Sequence, residues 1–201
     1  HLHEFGVVVP QGVTKIIALL PSLLDDNNLP ALLKSLLRDL LDDIHHINQR
    51  VDALDKQINA FVKTNDTANR LMTISGIGPI TASALVATTG DPHLFKNSRQ
   101  FTAWLGLVPK QFSSGGKTRL GGITKSGDGY LRKLLIQGAR AVLFRSGTHT
   151  DQRSLWINQL RSRKPDNVVA TALAAKLART AWAIMTRDET YQVNHTGLTG
   201  A

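Results

Sequence analysis

Between Ala31 and Thr64 the apolar residues recur at alternating steps of four and three: Leu33, Leu37, Leu40, Ile44, Ile47, Val51, Leu54, Ile58 and Phe61, with no Gly or Pro among them. A repeat of this kind over about four heptads predicts a coiled-coil helix rather than a generic amphipathic one. With Leu37, Ile44, Val51 and Ile58 as the a positions, Leu33, Leu40, Ile47, Leu54 and Phe61 fall at d. Mostly β-branched a against mostly Leu d is the preference of a parallel two-stranded coil, with Arg50 at g and Asp55 at e able to pair across it. The same seam could instead pack on another helix of this chain as an antiparallel hairpin. Leu36 and Leu41 widen the apolar face at the N-terminal end and favour extra packing there. Upstream, "GVTKIIALLPSLL" predicts a shorter helix bent at Pro21, and Asn27, Asn28 and Pro30 mark the start of the long one. His45 and His46 lie on or beside the seam and read as structural.

The second half changes rhythm. "ISGIGPITASALVATTGD", residues 74–91, sets a G-I-G-P turn before an apolar helix, with Pro79 suited to the first helical position. This predicts a helix-hairpin-helix, although such turns also serve as plain helix connectors. In "FKNSRQFTAWLGLVPKQF", Ser98 is placed to cap a short helix ending at Gly106, with Phe101, Trp104 and Leu105 as its buried face. Pro109 closes that unit and opens a glycine-rich loop. "YLRKLLIQGARAVLF" follows, a helix with Leu131, Leu134, Leu135, Ala139, Val142 and Leu143 on or near its buried side. "DQRSLWINQLRSRK" and "DNVVATALAAKLARTAWAIM" read as two more helices, and the tail from Glu189 as loose. No strand pattern stands out, so the fold class is mainly α. The expected organisation is a linker with a short helix over 1–28, the coiled coil over 29–66, a helical domain over 67–188 and a tail over 189–201.

Charge sharpens this division. The chain has 201 residues and a net charge of +9, but residues 1–69 carry 6 Lys/Arg against 9 Asp/Glu, and residues 70–201 carry 18 against 6. A basic half of this kind points to a polyanion, most often nucleic acid, over a merely solvated lysine-rich face. With no Cys, disulfides and thiolate metal sites are excluded. The longest apolar run, Val168–Met185, is broken by Lys176 and Arg179, so the expectation is a soluble, cytoplasmic, nucleoid-associated protein with no membrane partner. The chain starts with His, not Met, and "HLHEFGVVVPQG" is expected to continue something begun earlier.

The strongest chemical signal is "QFSSGGKTRLGGITKSGDGYLR", residues 111–132, with six glycines and four Lys/Arg against one Asp. Glycines let backbone approach a ligand, and Lys117, Arg119 and Lys125 supply charge. Arg132 and Lys133 fall in the first turn of the next helix, where they oppose its dipole, a placement that fits service to a ligand. At Gly76 and Gly78 the tight turn bares backbone N–H groups at a helix N-terminus, where a phosphate oxygen can bind without sequence selection. Gly76, Gly78, Lys117, Arg119, Lys125, Arg132 and Lys133 are therefore the expected DNA-binding residues.

Taken in order, GIGP, GLVP, SSGGK and "KSGDGYLR" resemble the C-terminal, serine-bearing half of the transposases typified by insertion sequence 110, relatives of the Piv-type DNA invertases. The resemblance covers nearly the whole chain, because "EFGVVVPQG" and a long coiled coil also precede this domain in the family. It implies a RuvC-like domain further upstream, whose four acidic residues bind Mg²⁺; no residue of this chain is assigned to that metal, and no cofactor is expected here. It also implies a serine that attacks DNA phosphate covalently, with a bridge RNA choosing the sites. The "SG" pattern puts the nucleophile at Ser114, with Ser113 as its neighbour. A serine hydroxyl needs a base or strong electrostatic help near neutral pH. The loop offers no histidine, so a metal-bound hydroxide or a carboxylate of the upstream domain is the expected activator. Cations and backbone N–H groups would stabilise charge building on the nonbridging oxygens.

The expected function is thus the oligomerising and strand-transfer portion of a DNA transposase, binding DNA and guide RNA, self-associating through residues 33–61 and inactive in recombination alone. The alternatives are a non-catalytic dimeric helix-hairpin-helix DNA-binding module and a remnant without activity.

Overall fold

The computed structural model describes residues 2–26, 28–114, 117–187 and 189–191, with the side chains of residues 113, 114, 117 and 118 left aside. The fold is mainly α: among the described residues there are eight α-helices and one two-stranded ribbon. The chain divides into two compact units, residues 1–57 and 58–201. Asn27 and residues 192–201, read above as part of a helix start and as tail, lie outside the described residues.

The first unit holds α1 (Val13–Asp25) and most of α2 (Ala31–Thr64). Its core is small: Leu20, Leu23, Leu29 and Leu37 are buried, with Ile16, Leu33 and Leu41 packed at the edges. Ile16, Leu20, Leu23 and Leu37 border an apolar cavity of about 210 Å³, which also touches Leu40 and Ile44. The broadened N-terminal face of α2 is therefore used within the chain through Leu41, whereas Leu36 stays exposed. Further along, the seam runs bare. Leu40, Ile47, Val51 and Leu54 are each about half exposed, between 49% and 57%.

The second unit is built around α8 (Asp166–Arg187). Val169, Ala170, Leu173, Ala174, Leu177, Ala178, Ala181, Ile184 and Met185 are all buried there. The recurring alanines let neighbouring helices come close, and the stripe repeats at helical spacing. By length and apolar content α8 is, among the described residues, the one helix able to cross a bilayer, yet 56% of its most apolar window is buried inside this unit. Against it lie α6 (Gly129–Arg145), through Leu131, Leu135, Ala139 and Leu143, and α5 (Ser98–Trp104). Phe101 is fully buried; Phe95 meets it edge-on at 5.1 Å, and Trp104 completes the group. These aromatics are core. The last turn of α2 joins this unit, with Val62 in its core.

Two helices flank the G-I-G-P turn: α3 (Asp66–Met72), capped by the Asn65 side chain on Ala68 N, and α4 (Pro79–Thr89) with Pro at its start. The turn lies on α6. A Cβ at Gly138 would strike the carbonyl oxygen of Gly76, and one at Gly76 (φ 100°) would lie 2.9 Å from Val142 Cγ2. Two glycines, one in the turn and one in the helix, permit this backbone-on-backbone contact.

Three local expectations change. The segment read as a glycine-rich loop forms an antiparallel ribbon, β1 (Pro109–Ser114) with β2 (Lys117–Ile123). A ribbon wet on both faces needs no alternation of apolar and polar residues, so its sequence carries no strand period. The cap of α5 is Asn97, whose side chain accepts from Gln100 N, and Ser98 is already helical. Beyond α8, Tyr191 packs on the core and its N–H donates to Thr73 Oγ1 at 2.9 Å.

Candidate functional site

The ribbon begins where two chain segments cross. Gly106 (φ 68°) and Gly127 (φ 97°) stand against backbone: a Cβ at Gly106 would strike Ser126 O, and one at Gly127 would strike Trp104 O. Around this crossing Leu107 N donates to Thr102 O at 3.1 Å, Thr124 N to Val108 O at 2.9 Å and Lys125 N to Gly106 O at 3.1 Å. Leu107 is buried and Ile123 packs against the core, so the base of the ribbon is rooted in the helical unit. From Pro109 to Phe112 and from Arg119 to Gly122 every described residue is exposed. The ribbon is a rigidly held base carrying a solvated, basic arm.

Register orders the chemistry along that arm. Ser114 pairs with Lys117, Ser113 with Thr118, Phe112 with Arg119 and Gln111 with Leu120; a bulge follows between Gln111 and Pro109. Residues two apart in a strand share a face. The rungs Ser114–Lys117 and Phe112–Arg119 therefore have one parity, and Ser113–Thr118 and Gln111–Leu120 the other. Phe112 is 61% exposed, with its ring edge lying against Gly121 of the opposite strand. Lys110, exposed on β1, adds a cation that the sequence reading passed over, because it precedes the glycines.

The remaining expected contact residues part company. Lys125 is exposed at the ribbon's exit and holds a left-handed φ of 58°, unusual outside glycine. Lys133 is exposed on α6. Arg132 is half-buried and turned inward: its Nη1 donates to Leu105 O at 3.1 Å and, more weakly, to Asp128 O at 3.5 Å. That guanidinium closes the C-terminal end of α5 onto the start of α6, directly beneath the ribbon. Asp128 caps α6 through Leu131 N at 2.8 Å. In the G-I-G-P turn, Gly76 serves packing against Gly138, whereas Gly78 is exposed, N-caps α4 without a side-chain hydrogen bond and has open space where a Cβ would stand. Sequence spacing gave no means of telling these two glycines apart.

No group of three or more His, Asp or Glu converges in a way that could hold a metal ion among the described residues. The Mg²⁺ implied by the resemblance is expected in the upstream domain, and no chemical step is routed through it here.

Residues 68–154, from α3 to the start of α7 (Gln152–Arg161), match the family of IS116/IS110/IS902 transposases. The whole ribbon lies inside that match. The chain is 46% identical over 194 residues to a Pseudomonas aeruginosa protein named "Probable family 20 transposase", covering 95% of this chain and 57% of that one. It is 39% identical over 190 residues to the transposase for insertion sequence element IS1328 of Yersinia enterocolitica, covering 94% and 57%. With the transposase for insertion sequence element IS1111A of Coxiella burnetii it shares 38% identity over 193 residues, covering 95% and 53%. It spans a little over half the length of each of these curated relatives. The expected resemblance stands: residues 68–154 match the IS116/IS110/IS902 transposases, and nearly the whole chain is similar to part of transposases of insertion sequences.

Proposed function

We propose that this chain is the oligomerising, DNA-binding and serine-bearing part of a transposase, in which Ser114 attacks a DNA phosphodiester. Its Oγ forms a bond to phosphorus as the bond from phosphorus to a deoxyribose oxygen breaks. The serine proton goes to a base, and a proton reaches the departing oxygen. A deoxyribose hydroxyl of another strand then attacks the phosphoserine, releases Ser114 and completes the transfer. The link keeps one phosphodiester bond's energy throughout, so rejoining needs no external energy source.

The observation that carries this reading is the ladder register. Ser114 pairs with Lys117 and shares its parity with the Arg119 rung, whereas Ser113 shares its parity with Thr118 and Leu120. Two cations on the Ser114 rungs suit the charge that builds on the nonbridging oxygens. Nothing between Pro109 and Gly127 can act as a carboxylate or imidazole base. The proton acceptor therefore comes from outside the ribbon, in line with a reaction that needs the rest of the transposase. DNA is further held by Lys125 and Lys133, and by the open N-terminus of α4 at Gly78. A second copy of the chain covers the bare seam of α2, and a guide RNA directs the assembly.

The test is strand exchange by a transposase reconstituted with the upstream domain. Ser114→Ala should abolish exchange and the covalent protein–DNA adduct while leaving DNA affinity within about twofold of the original. Ser113→Ala should retain both. Exchange that survives Ser114→Ala would overturn the assignment of the nucleophile.

A further inference from the structure

Away from the ribbon, four cations stand on three helices, of which α5 and α7 both pack against α8. Lys176 and Arg179 stand three residues apart on α8, Arg99 lies in the first turn of α5 and Arg153 in the first turn of α7. No ion pair is seen at Arg99, Lys176 or Arg179 among the described residues. Burial pushes both Lys176 and Arg179 below their ordinary values; the charges of Arg179 and Arg153 add to the effect on Lys176, and that of Arg99 to the effect on Arg179. Arg153 has a buried Nε without a partner, and its Nη1 donates to Ser75 O at 3.5 Å. The charge of Arg153 helps hold Asp151 low, the Arg153 Cζ lies 6.0 Å from the centroid of the Tyr191 ring, and the Asp151 oxygens already accept from Arg153 N, Ser154 N and Ser154 Oγ. Beside the cluster an open cavity of about 560 Å³ is lined by Gln152, Leu155, Trp156, Gln159 and Lys176.

At Arg99, Lys176 and Arg179, like charges without a counter-charge work against the free protein, although Lys176 and Arg179 keep part of their surface in water. Arg99 and Arg153 also oppose the dipoles of their helices. An anion would relieve all of these costs at once. The cations are spread over three helices instead of converging on one point, which suits an extended polyanion better than a single phosphate. Lys176 Nζ sits 4.8 Å from the centroid of the Trp156 ring, so that ring already has a partner on one face and is a poor platform for an unstacked base. We infer that the face shared by α5, α7 and α8 is a second nucleic-acid surface, on which Arg99, Arg153, Lys176 and Arg179 neutralise the phosphates of a duplex. Through Arg153 and Ser75 it adjoins the G-I-G-P turn. The inference rests on the reading that this chain binds nucleic acid.

The experiment measures affinity of the full chain for a DNA duplex and an RNA duplex of about 20 base pairs over a salt series. The double variant Lys176→Gln/Arg179→Gln should lower the slope of log affinity against log salt by about 2 and weaken binding about tenfold near physiological salt. The duplex that shows the change identifies which nucleic acid uses this surface. Trp156 emission should respond to that duplex, and the response should vanish in Trp156→Phe. The free double variant should melt no lower than the parent, because repulsion has been removed; should it fail to fold, Arg99→Gln carries the same test with a slope change of about 1. Unchanged slopes for both duplexes would overturn the second surface alone. Failure of the parent chain to bind either duplex would overturn the underlying reading with it.

Discussion

The two long helices, α2 and α8, use similar periodicities to opposite ends. In α8 the apolar stripe is closed off by α5 and α6, and Leu173 is fully buried. In α2 only the two ends find partners, through Leu37 and Val62, and between them Ile47, Val51 and Leu54 remain about half exposed. A stripe satisfied within the chain stabilises the fold; one left bare exposes apolar surface of the kind that marks an interaction site. Repetition alone did not separate the two cases. What does is the set of neighbours: α8 has small residues at the contact and helices on several sides, whereas beyond Ile44 the flanks of α2 are polar, with Asn48, Arg50, Asp55 and Gln57.

The comparison can be broken most forcefully in α8. Leu173→Ala should cost about 2–5 kcal/mol of unfolding free energy, read from denaturant midpoints, because the cavity it leaves is walled by a packed core. A loss below about 1 kcal/mol would mean that this core is loosely packed. In α2, Ile47→Asp with Leu54→Asp should weaken self-association by at least about a hundredfold, or about 2.7 kcal/mol, in sedimentation at micromolar concentration. The same pair should leave the unfolding of the second unit unchanged. A parent chain that stays monomeric throughout would remove the seam from the account of assembly.

The smallest effect sharpens how α7 is held. The Asp151 carboxyl lies below its ordinary value of 3.8, chiefly through the Ser154 hydroxyl at 2.6 Å. Its folded value is depressed, so its contribution is complete above the unfolded value and fades as pH falls through the folded one. Asp151→Ala should therefore cost about 1 kcal/mol at pH 7, a cap's worth, and less at pH 2. Equal losses at both pH values would show that the cap works without its charge.

Much of this architecture is legible in the sequence. The four-three repeat gives α2, Pro79 opens α4, Gly127-Asp128 precedes α6, and the buried face of α6 holds Leu131, Leu135, Ala139 and Leu143 as expected. What escaped was long-range or two-faced. The ribbon hides because neither face has a core to impose alternation. Arg132 reads as a free cation until the carbonyl of Leu105, 27 residues away, is brought to it. Arg99, Arg153, Lys176 and Arg179 are scattered along the chain, and only the stacking of three helices gathers them.

The spacing of the bare seam has a geometric consequence. A seven-residue repeat falls short of two full α-helical turns by about 20°, so over about four heptads the seam of α2 drifts around its axis by about 80°. A straight companion would lose it before the far end. Whatever lies along this helix must wind about it with a left-handed twist.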